Sequence, residues 1–484
     1  MRIKSLYIKE YNILQGFSID FTSNLSVLIG ENGSGKSSVL ECVAYIFGHL
    51  HKYFILDDKT ADFIDGYKIV YEINGYDIFI ESKYVSSKTN TFKPIIKING
   101  EELSISQIRD RYGDFKIFLP EKIILSYSGI TEHLKELNKH FEAKFIQKIT
   151  RLNNPYSLLP LNLPDDNPFM YVKKEYVSFI LLALFVLDSE EAQEIFKTIG
   201  VDINGCTTTI TLKKPSWATT GKEKANNSLW GMSGKIALDF LDGLALVGIP
   251  KENRDEKTNE IKSIDFEFYG SLMIQDLYQS YFKIGPEQVI PFMDTLLCDD
   301  LLKSVDITWG DDFSIDRLSE GEKQLILSVG LGLVLNKKNL LFLYDEPDVS
   351  LHPRWQQSFI SNMEKGLDSD SMAVITTHSP SIVSDLQSPN LHLLRGGKVV
   401  TKALKHYGKT VESILGDYFG LESTRNSEVS EKIDTLWDLI EKGNYEGDVF
   451  AKKMEELISI IGPEDAEILA MNREIMMRRH EKAK

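Results

Sequence analysis

Apolar and polar residues alternate along residues 1–14 (MRIKSLYIKEYNIL) with the two-residue period of a β-strand. Residues 25–29 (LSVLI) are instead apolar without interruption, which is typical of a strand buried on both faces of a parallel sheet. A glycine-rich turn follows at residues 30–35, and residues 38–47 have the apolar spacing of a helix. The pattern therefore predicts a strand, a tight turn and a helix in immediate succession.

Strand-like patterns recur further along the chain. Residues 68–98 alternate, with turn signals at Asn74-Gly75 and Asn99-Gly100. Apolar runs return at residues 305–309, 340–344 and 373–376, each followed by helical sequence. This α/β alternation predicts a parallel sheet that contains all three runs.

Helical spacing dominates the middle of the chain and its C-terminal part. It predicts helices at residues 132–150 and 171–200, followed by a strand at 206–212 and a polar stretch at 214–227. We interpret this region as an insertion between two halves of one domain. Beyond residue 401, two amphipathic stripes consist of Ile433, Leu436, Trp437 and Ile440, and of Phe450, Met454, Leu457 and Ile461. These stripes require burial, either against a partner or against the rest of the chain.

Composition and charge narrow the class of protein. The formal net charge of −16 argues against a chain that binds nucleic acid over its whole surface, so any such contact is expected to be local or made through a partner. The three cysteines, Cys42, Cys206 and Cys298, lack disulfide or metal-ligand spacing. The N-terminus lacks the apolar stretch of a signal peptide, and the apolar segment at residues 177–187 is too short to span a bilayer. We expect a cytoplasmic protein without membrane association.

The strongest chemical signal lies in the turn after the first buried strand. Residues 30–37 (GENGSGKS) form a complete GxxxxGK[ST] motif, the P-loop, with the strand and helix that the motif requires on its two sides. Its backbone N–H groups surround phosphates, its lysine reaches the β- and γ-phosphates, and its hydroxyl binds Mg²⁺. A chance glycine-rich turn is disfavoured because both flanks match. The predicted ATP-binding residues are Gly30, Asn32, Gly33, Ser34, Gly35, Lys36, Ser37 and Ser38.

A second signal follows the apolar run at residues 340–344 (LLFLY). Asp345 and Glu346 stand directly after this predicted strand, in the arrangement of a Walker B motif. We expect Asp345 to hold Mg²⁺ together with Ser37, and Glu346 to polarise the attacking water. An acidic turn after a core strand is the simpler alternative, but its occurrence with a P-loop favours the catalytic interpretation.

The third signal is residues 318–324 (LSEGEKQ), which precede a predicted apolar helix at residues 325–335. This segment resembles the signature LSxGxxQ of the ABC superfamily, and the order of P-loop, signature and Walker B is also that of the family. The resemblance implies that Leu318, Ser319, Gly321 and Gln324 face the γ-phosphate bound to the P-loop of a second copy. The alternative is an N-cap serine with glutamates in the first turn, and Ser319 can serve both purposes.

The fourth signal is His378, in residues 374–380 (VITTHSP) at the end of a predicted buried strand. In ABC ATPases a histidine at this position contacts the γ-phosphate, so the resemblance implies a catalytic role for His378. A lone histidine at a strand end is more often structural. No Q-loop glutamine is recognisable, although residues 126–129 resemble the equivalent region of ATPases related to the overcoming-lysogenisation-defect (OLD) family. Tyr11 is a positional candidate for stacking on adenine.

The form DEPDVSLHP, with His352 where transporters usually carry an aspartate, resembles the OLD and RecF-like branch of ABC/SMC-type ATPases. The implied fold class is α/β, an ABC-type P-loop ATPase head with lobes at residues 1–130 and 286–400. A helical insertion is expected at residues 131–285. A small all-α domain is expected at residues 401–484, for partner docking or oligomerisation.

OLD nucleases carry a Toprim domain, but the last 80 or so residues have helical patterns and no Glu followed by DxD. We therefore expect no nuclease activity of the chain's own. A PD-(D/E)xK interpretation of Asp77, Glu81 and Lys83 is weaker than that of a surface strand. The layout resembles the PtuA family, the ATPase subunits of Septu-type and retron-associated antiphage systems, which work with a separate HNH nuclease, PtuB.

This resemblance implies an ATPase that uses ATP and Mg²⁺, forms a homodimer or higher oligomer, and regulates an HNH-type nuclease partner through ATP-dependent head-to-tail dimerisation. A retron reverse transcriptase and its DNA product are further candidate partners, with nucleic acid contacted through the complex. Two alternatives remain. One is a RecF/OLD-like repair ATPase that clamps DNA. The other is a pseudo-ATPase for which ATP is a structural or regulatory ligand.

Overall fold

The computed structural model describes residues 1–58, 64, 66–86, 91–127, 139, 141, 167–215, 230, 235–298, 300–310, 313–386, 390–400, 405–421 and 424–482. The chain forms two compact units, Met1–Gly408 and Lys409–Lys484. The predicted start of the C-terminal domain, residue 401, lies outside the described residues, as does most of the helix predicted at residues 132–150.

The strands of the first unit form three sheets within the described residues. In chain order the strands are β1 (Arg2–Tyr11), β2 (Leu14–Asp20), β3 (Leu25–Gly30), β4 (Tyr67–Ile73), β5 (Tyr76–Ser86), β6 (Thr91–Ile98), β7 (Glu101–Glu102), β8 (Lys122–Tyr127), β9 (Phe169–Tyr171), β10 (Thr207–Lys213), β11 (Ile249–Arg254), β12 (Ile261–Tyr269), β13 (Leu302–Trp309), β14 (Phe313–Ser314), β15 (Leu340–Asp345), β16 (Met372–Thr376), β17 (Leu391–Arg395) and β18 (Lys398–Val400).

The α-helices in the described residues are α1 (Lys36–Phe54), α2 (Ile105–Tyr112), α3 (Tyr176–Leu187), α4 (Glu190–Ile199), α5 (Lys235–Val247), α6 (Gly270–Gln275), α7 (Pro286–Cys298), α8 (Glu320–Leu325), α9 (Leu331–Val334), α10 (Pro353–Gly366), α11 (Pro380–Asp385), α12 (Val411–Phe419), α13 (Ser427–Glu441), α14 (Asp448–Ile461) and α15 (Ala466–Lys482). A π-helical turn, Ile326–Gly330, joins α8 to α9. None of the helices that the structure describes is long and apolar enough to cross a membrane.

The central sheet has the order β18-β17-β3-β16-β15-β8-β9, and of these strands only β18 is antiparallel to its neighbour. Every residue of β3, β15 and β16 is buried, as their uninterrupted apolar sequences require. The strands predicted at residues 25–29, 340–344 and 373–376 are confirmed. Because these strands are parallel, the residues that follow each of them meet at one edge of the sheet.

An antiparallel sheet has the order β2-β1-β4-β5-β6-β7. Its buried residues pack with those of α1, which also packs on the central sheet. The predicted turns are confirmed, since Asn74 and Asn99 both have a φ of 51° and each is followed by a glycine with positive φ. Buried residues of this sheet, of α1 and of the central sheet form one hydrophobic core, which includes Ile69, Phe47 and Val374. The P-loop helix is therefore held between two sheets.

A second antiparallel sheet has the order β11-β12-β10-β13-β14. The run predicted at residues 305–309 belongs to β13 in this sheet and not to the parallel one, so that part of the prediction was wrong. Its burial alternates along the strand, which is the pattern of a sheet with one solvated face. The boundary predicted between residues 285 and 286 falls within this sheet, because β10 pairs with both β12 and β13.

The single helix predicted at residues 171–200 is also wrong, because the chain is broken there. Residues 169–171 form a short strand, and α3 ends at Asp188, whose φ is 45°. Ser189 then begins α4 by accepting a hydrogen bond from the backbone N–H of Ala192. The polar residues between the two apolar stretches therefore act as a helix stop and a new N-cap.

The second unit contains α12 to α15. The residues of both predicted stripes are buried or half-buried in one cluster with Ile468, Met471 and Ile475 of α15. The stripes on α13 and α14 thus cover one another and α15. The residues of these two stripes are therefore buried against one another and α15 within the unit itself.

Candidate nucleotide-binding site

The P-loop runs from the end of β3 into α1. Gly35 precedes α1 with a φ of 101°, and a Cβ at this position would lie 2.8 Å from the side chain of Leu14. A Cβ on Gly30 would lie 2.2 Å from the carbonyl oxygen of Leu394. Side chains at these two positions would displace the loop, which explains why the turn requires glycine.

The other side chains of the P-loop differ in exposure. Asn32 is exposed, whereas Ser34 is buried and Ser38 is half-buried. The Ser34 hydroxyl has no hydrogen-bond partner among the described residues. A buried hydroxyl without a partner is unfavourable, and a phosphate oxygen in the loop would provide an acceptor.

Lys36 reaches across the loop from the first turn of α1. Its ammonium nitrogen Nζ lies 3.1 Å from the carbonyl oxygen of Gly30 and 3.2 Å from that of Glu31, to which it donates hydrogen bonds. The same nitrogen lies 2.7 Å from Nε2 of His378. Burial lowers the pKa of Lys36, and the carboxylates of Glu346 and Asp345 oppose this shift. The lysine is thus a partly desolvated cation placed next to the sheet edge.

Ser37 and Asp345 form a second contact between distant parts of the chain. The Ser37 hydroxyl lies 3.0 Å from both carboxylate oxygens of Asp345, and the Thr376 hydroxyl donates to Asp345 Oδ1 at 2.5 Å. Burial raises the pKa of Asp345, while the hydrogen bonds from Thr376 and Ser37 lower it. One hydroxyl and one carboxylate beside a phosphate-binding loop are the hard oxygen ligands that Mg²⁺ takes together with phosphate oxygens.

Glu346 is held in an uncommon backbone conformation at the end of β15. Its φ is 50°, and its N–H donates hydrogen bonds to the carbonyl oxygen and the hydroxyl of Thr376, at 3.1 and 3.0 Å. A left-handed conformation at a non-glycine residue is costly and is retained here by these two bonds. The carboxylate oxygen Oε1 lies 3.2 Å from Nε2 of His378, and both side chains are partly exposed.

The signature segment begins a helix, as predicted. Ser319 is the N-cap of α8 and forms a capping box with Glu322, in which the Glu322 N–H donates to the Ser319 hydroxyl at 3.3 Å. Gly321 is buried, and a Cβ there would lie 2.6 Å from the carbonyl oxygen of Ser350. Leu318 is buried and Gln324 is half-buried. Ser319 therefore has the structural role of an N-cap, which the sequence offered as the alternative, and its side chain is still exposed.

The predicted residues fall into two groups by their hydrogen bonds in the structure. Lys36, Ser37, Asp345, Glu346 and His378 are joined by short contacts at the edge of the central sheet. In the part of the chain that the structure describes, the hydrogen bonds of the Ser319 side chain and N–H go to Glu322, and none reaches the P-loop.

Tyr11 is bound to the P-loop helix. Its hydroxyl donates to Oε2 of Glu41 at 3.0 Å, and its ring centroid lies 6.2 Å from that of Tyr45. Burial and the Glu41 carboxylate raise the pKa of Tyr11. The role of Tyr11 in stacking on adenine stays a prediction.

Sequence reasoning missed three residues that shape the site. Thr376 binds both Asp345 and the Glu346 backbone, Gln356 links two loops, and the Asp348 carboxyl is buried after the Walker B strand. A hydroxyl at the end of β16, next to the Walker B strand, was a signal for Thr376. Gln356 had no such signal, because its partners are set by the folding of separate loops.

A P-loop at the edge of a parallel sheet, with a Walker B strand beside it, a flanking antiparallel sheet and a separate signature helix, is the architecture of an ABC-type ATPase head with helical parts. The chain belongs to the AAA ATPase domain family, whose match covers residues 1–383.

Three relatives are similar over much of the chain. A retron Ec83 probable ATPase from Escherichia coli is 21% identical, over 99% of this chain and 87% of its own length. A retron Vc95 probable ATPase from Vibrio cholerae is 21% identical, over 92% of this chain and 84% of its own length. The DNA replication and repair protein RecF of Clostridium acetobutylicum is 25% identical, over 69% of this chain and 94% of its own length.

Proposed function

We propose that this chain binds and hydrolyses ATP with Mg²⁺ at a site that a second copy of the chain completes. The observation that carries the proposal is the contact among five side chains at or just after the ends of three different strands: Lys36, Ser37, Asp345, Glu346 and His378. Phosphoryl transfer needs positive charge, a metal site and a base for water in one place. These five side chains supply all three.

Each residue has a distinct role in this proposal. Lys36 and the N–H groups of the P-loop bind the β- and γ-phosphates, and Ser37 and Asp345 hold the Mg²⁺. When bound, Mg²⁺ neutralises charge on the phosphate oxygens. Glu346 accepts a proton from the attacking water, and His378 orients the γ-phosphate from beside Glu346. Thr376 fixes the direction of Asp345 and Glu346.

The signature supports the head-to-tail part of the proposal. Leu318, Ser319, Gly321 and Gln324 lie at and within the first turns of a helical run, with Ser319 exposed. A helix start with a serine hydroxyl and a glycine favours an anion. In the proposed arrangement, which is that of the ABC superfamily whose signature this segment resembles, the γ-phosphate that this anion site binds is that of a second copy. ATP then favours the closed dimer through its added contacts there.

The retron-named relatives support a place in a defence complex. Their similarity extends over almost the whole chain, beyond the ATPase domain alone. We propose that ATP-dependent assembly of this subunit regulates a separate HNH-type nuclease, with a retron reverse transcriptase and its DNA product as further partners. The RecF relative favours a second candidate, an ATP-dependent clamp on duplex DNA without a nuclease.

The test is the mass of the purified chain by light scattering, with and without ATP and Mg²⁺, together with phosphate release. ATP-dependent dimerisation and turnover that are both lost in Lys36→Ala would support the proposal. Bound ATP without turnover would instead identify a pseudo-ATPase. Salt-dependent binding of bare DNA that requires ATP, with no co-purifying nuclease, would favour the clamp.

A further inference from the structure

The side-chain amide of Gln356, in α10, bridges two loops of the site. Its Nε2 donates hydrogen bonds to the carbonyl oxygens of Asp348 and Leu351, each at 3.2 Å. Its Oε1 accepts a hydrogen bond from the Ser379 hydroxyl at 2.9 Å. Both N–H donors and the carbonyl of one amide are therefore used, so the two loops are held at a fixed separation.

One of these loops contains the histidine of the phosphate site. Ser379 directly follows His378, its N–H donates to the Thr377 hydroxyl at 2.8 Å, and its own hydroxyl caps α11. A shift of His378 toward or away from a γ-phosphate therefore moves the hydroxyl that Gln356 holds.

The other loop contacts the signature. The turn from Asp348 to Leu351 follows Glu346, and its Ser350 carbonyl oxygen lies 2.6 Å from where a Cβ of Gly321 would be. The Trp355 ring lies 3.4 Å from the same position. The signature helix therefore rests on this turn without space between them, and the turn cannot move without the start of α8 moving too.

We propose that Gln356 is a positioning residue that couples the phosphate site of one copy to the placement of that copy's signature. The inference rests on the proposed function, in which the signature binds the nucleotide of the second copy. When nucleotide occupies the phosphate site of one copy, it then fixes the position of that copy's signature, and this signature completes the site of the second copy. The two sites of a dimer hydrolyse ATP cooperatively through this link, and the coupling is reciprocal.

The informative variant is Gln356→Glu, which keeps the shape and the acceptor for Ser379 but replaces the two N–H donors with an oxygen facing two carbonyl oxygens. Gln357→Glu is the matched control, because it makes the same change at the exposed neighbouring residue. We expect Gln356→Glu to keep ATP affinity within about twofold, lower kcat about tenfold and reduce the Hill coefficient for ATP toward 1. Unchanged kcat and Hill coefficient would overturn the proposal.

A second measurement is independent of turnover. In a Ser319→Arg background, where the bulky side chain blocks the signature from a second copy, ATP is expected to slow amide exchange at residues 30–38 and 348–352. Adding Gln356→Glu should keep the protection at 30–38 and remove it at 348–352. Equal protection of 348–352 with either residue, or none with Gln356 intact, would overturn the coupling. Failure of the wild-type chain to assemble or turn over would refute the proposed function instead.

Discussion

The ammonium nitrogen of Lys36 lies 2.7 Å from Nε2 of His378. An ammonium group can only donate, so this contact favours a neutral imidazole with Nε2 as the acceptor, whereas the Glu346 carboxylate, 3.2 Å from the same nitrogen, favours a protonated Nε2. Burial lowers the pKa of His378, Lys36 lowers it further, and Glu346 partly opposes them. Nucleotide-free protein therefore disfavours the imidazolium, although a γ-phosphate beside it would favour that charged form.

This relationship predicts pH-dependent discrimination between ATP and ADP. A γ-phosphate raises the pKa of His378, so ATP binding takes up a proton that ADP binding does not. The ratio of ATP to ADP affinity should increase as pH falls from about 7.5 to about 6, by at most about tenfold per pH unit. Calorimetric titration at several pH values measures the ratio. His378→Gln should make the ratio flat, and a flat ratio in the wild type would contradict the prediction.

Glu346→Gln should trap an ATP-bound dimer. The amide keeps the size of the side chain but cannot accept the proton of the attacking water, so turnover should fall about 10²–10⁴-fold with ATP affinity retained. Phosphate release and light scattering with ATP and Mg²⁺ measure both effects. The control is Glu364→Gln, which removes a carboxylate from an exposed position on α10. Unchanged turnover would remove Glu346 as the base.

Asp348 is expected to destabilise the folded chain above about pH 6. Burial raises the pKa of its carboxyl from 3.8 to about 6, a hydrogen bond from Thr377 opposes the shift, and Oδ1 has no partner among the described residues. Because the folded pKa lies above the unfolded one, the stability of the fold falls as pH rises from about 3.8 to about 6, and it stays at the lower level above that pH. The penalty at pH 8 is on the order of 3 kcal/mol.

Asp348→Asn should therefore unfold at a higher temperature than wild type at pH 8, and about half of this stabilisation should remain at pH 5, because the unfolded carboxyl is already ionised there. Thermal unfolding of the two proteins at both pH values measures this change. Asp110→Asn removes a carboxylate from an exposed position on α2 and should show no such pH dependence. An equal effect of Asp348→Asn at both pH values would show that ionisation is not the cause.

The parts of the site that could be predicted are those with local sequence causes. The P-loop requires glycines and a lysine in one turn, and the Walker B pair follows an apolar run, so both were recognisable. The bonds of Thr376 to Asp345 and of Gln356 to Ser379 span 31 and 23 residues. Both bonds depend on which elements are neighbours in the fold. A hydroxyl at the end of a predicted strand was a local signal for Thr376, but nothing in the sequence near Gln356 indicates its partners.

The two wrong predictions about the fold have a similar cause. The run at residues 305–309 has the composition of a strand, but its place in the antiparallel sheet depends on pairing with residues 207–210, about a hundred positions earlier. The break at Asp188 and Ser189 was visible as polar residues, but the apolar pattern on both sides favoured one continuous helix. Periodicity identifies an element, whereas its partner and its end depend on tertiary contacts and capping.

Tyr344 supports the signature helix from inside the core. Its side chain is fully buried, and its hydroxyl donates to the Ser328 carbonyl oxygen at 3.3 Å. Ser328 lies in the π-helical turn that follows the signature, so this bond joins that turn to the Walker B strand. Tyr344→Phe should destabilise the first unit by about 1 kcal/mol, because the Ser328 carbonyl loses this hydrogen bond while it keeps the one from the Leu331 N–H.

The loss should be concentrated near the π-helical turn. Amide exchange at residues 326–334 of the nucleotide-free protein should accelerate in Tyr344→Phe, while exchange in α13 to α15 should stay unchanged. Tyr407→Phe removes a hydroxyl from a side chain that is 63% exposed and should have no effect on either region. If exchange at 326–334 were the same in all three proteins, the hydroxyl would not be what holds the turn to the Walker B strand.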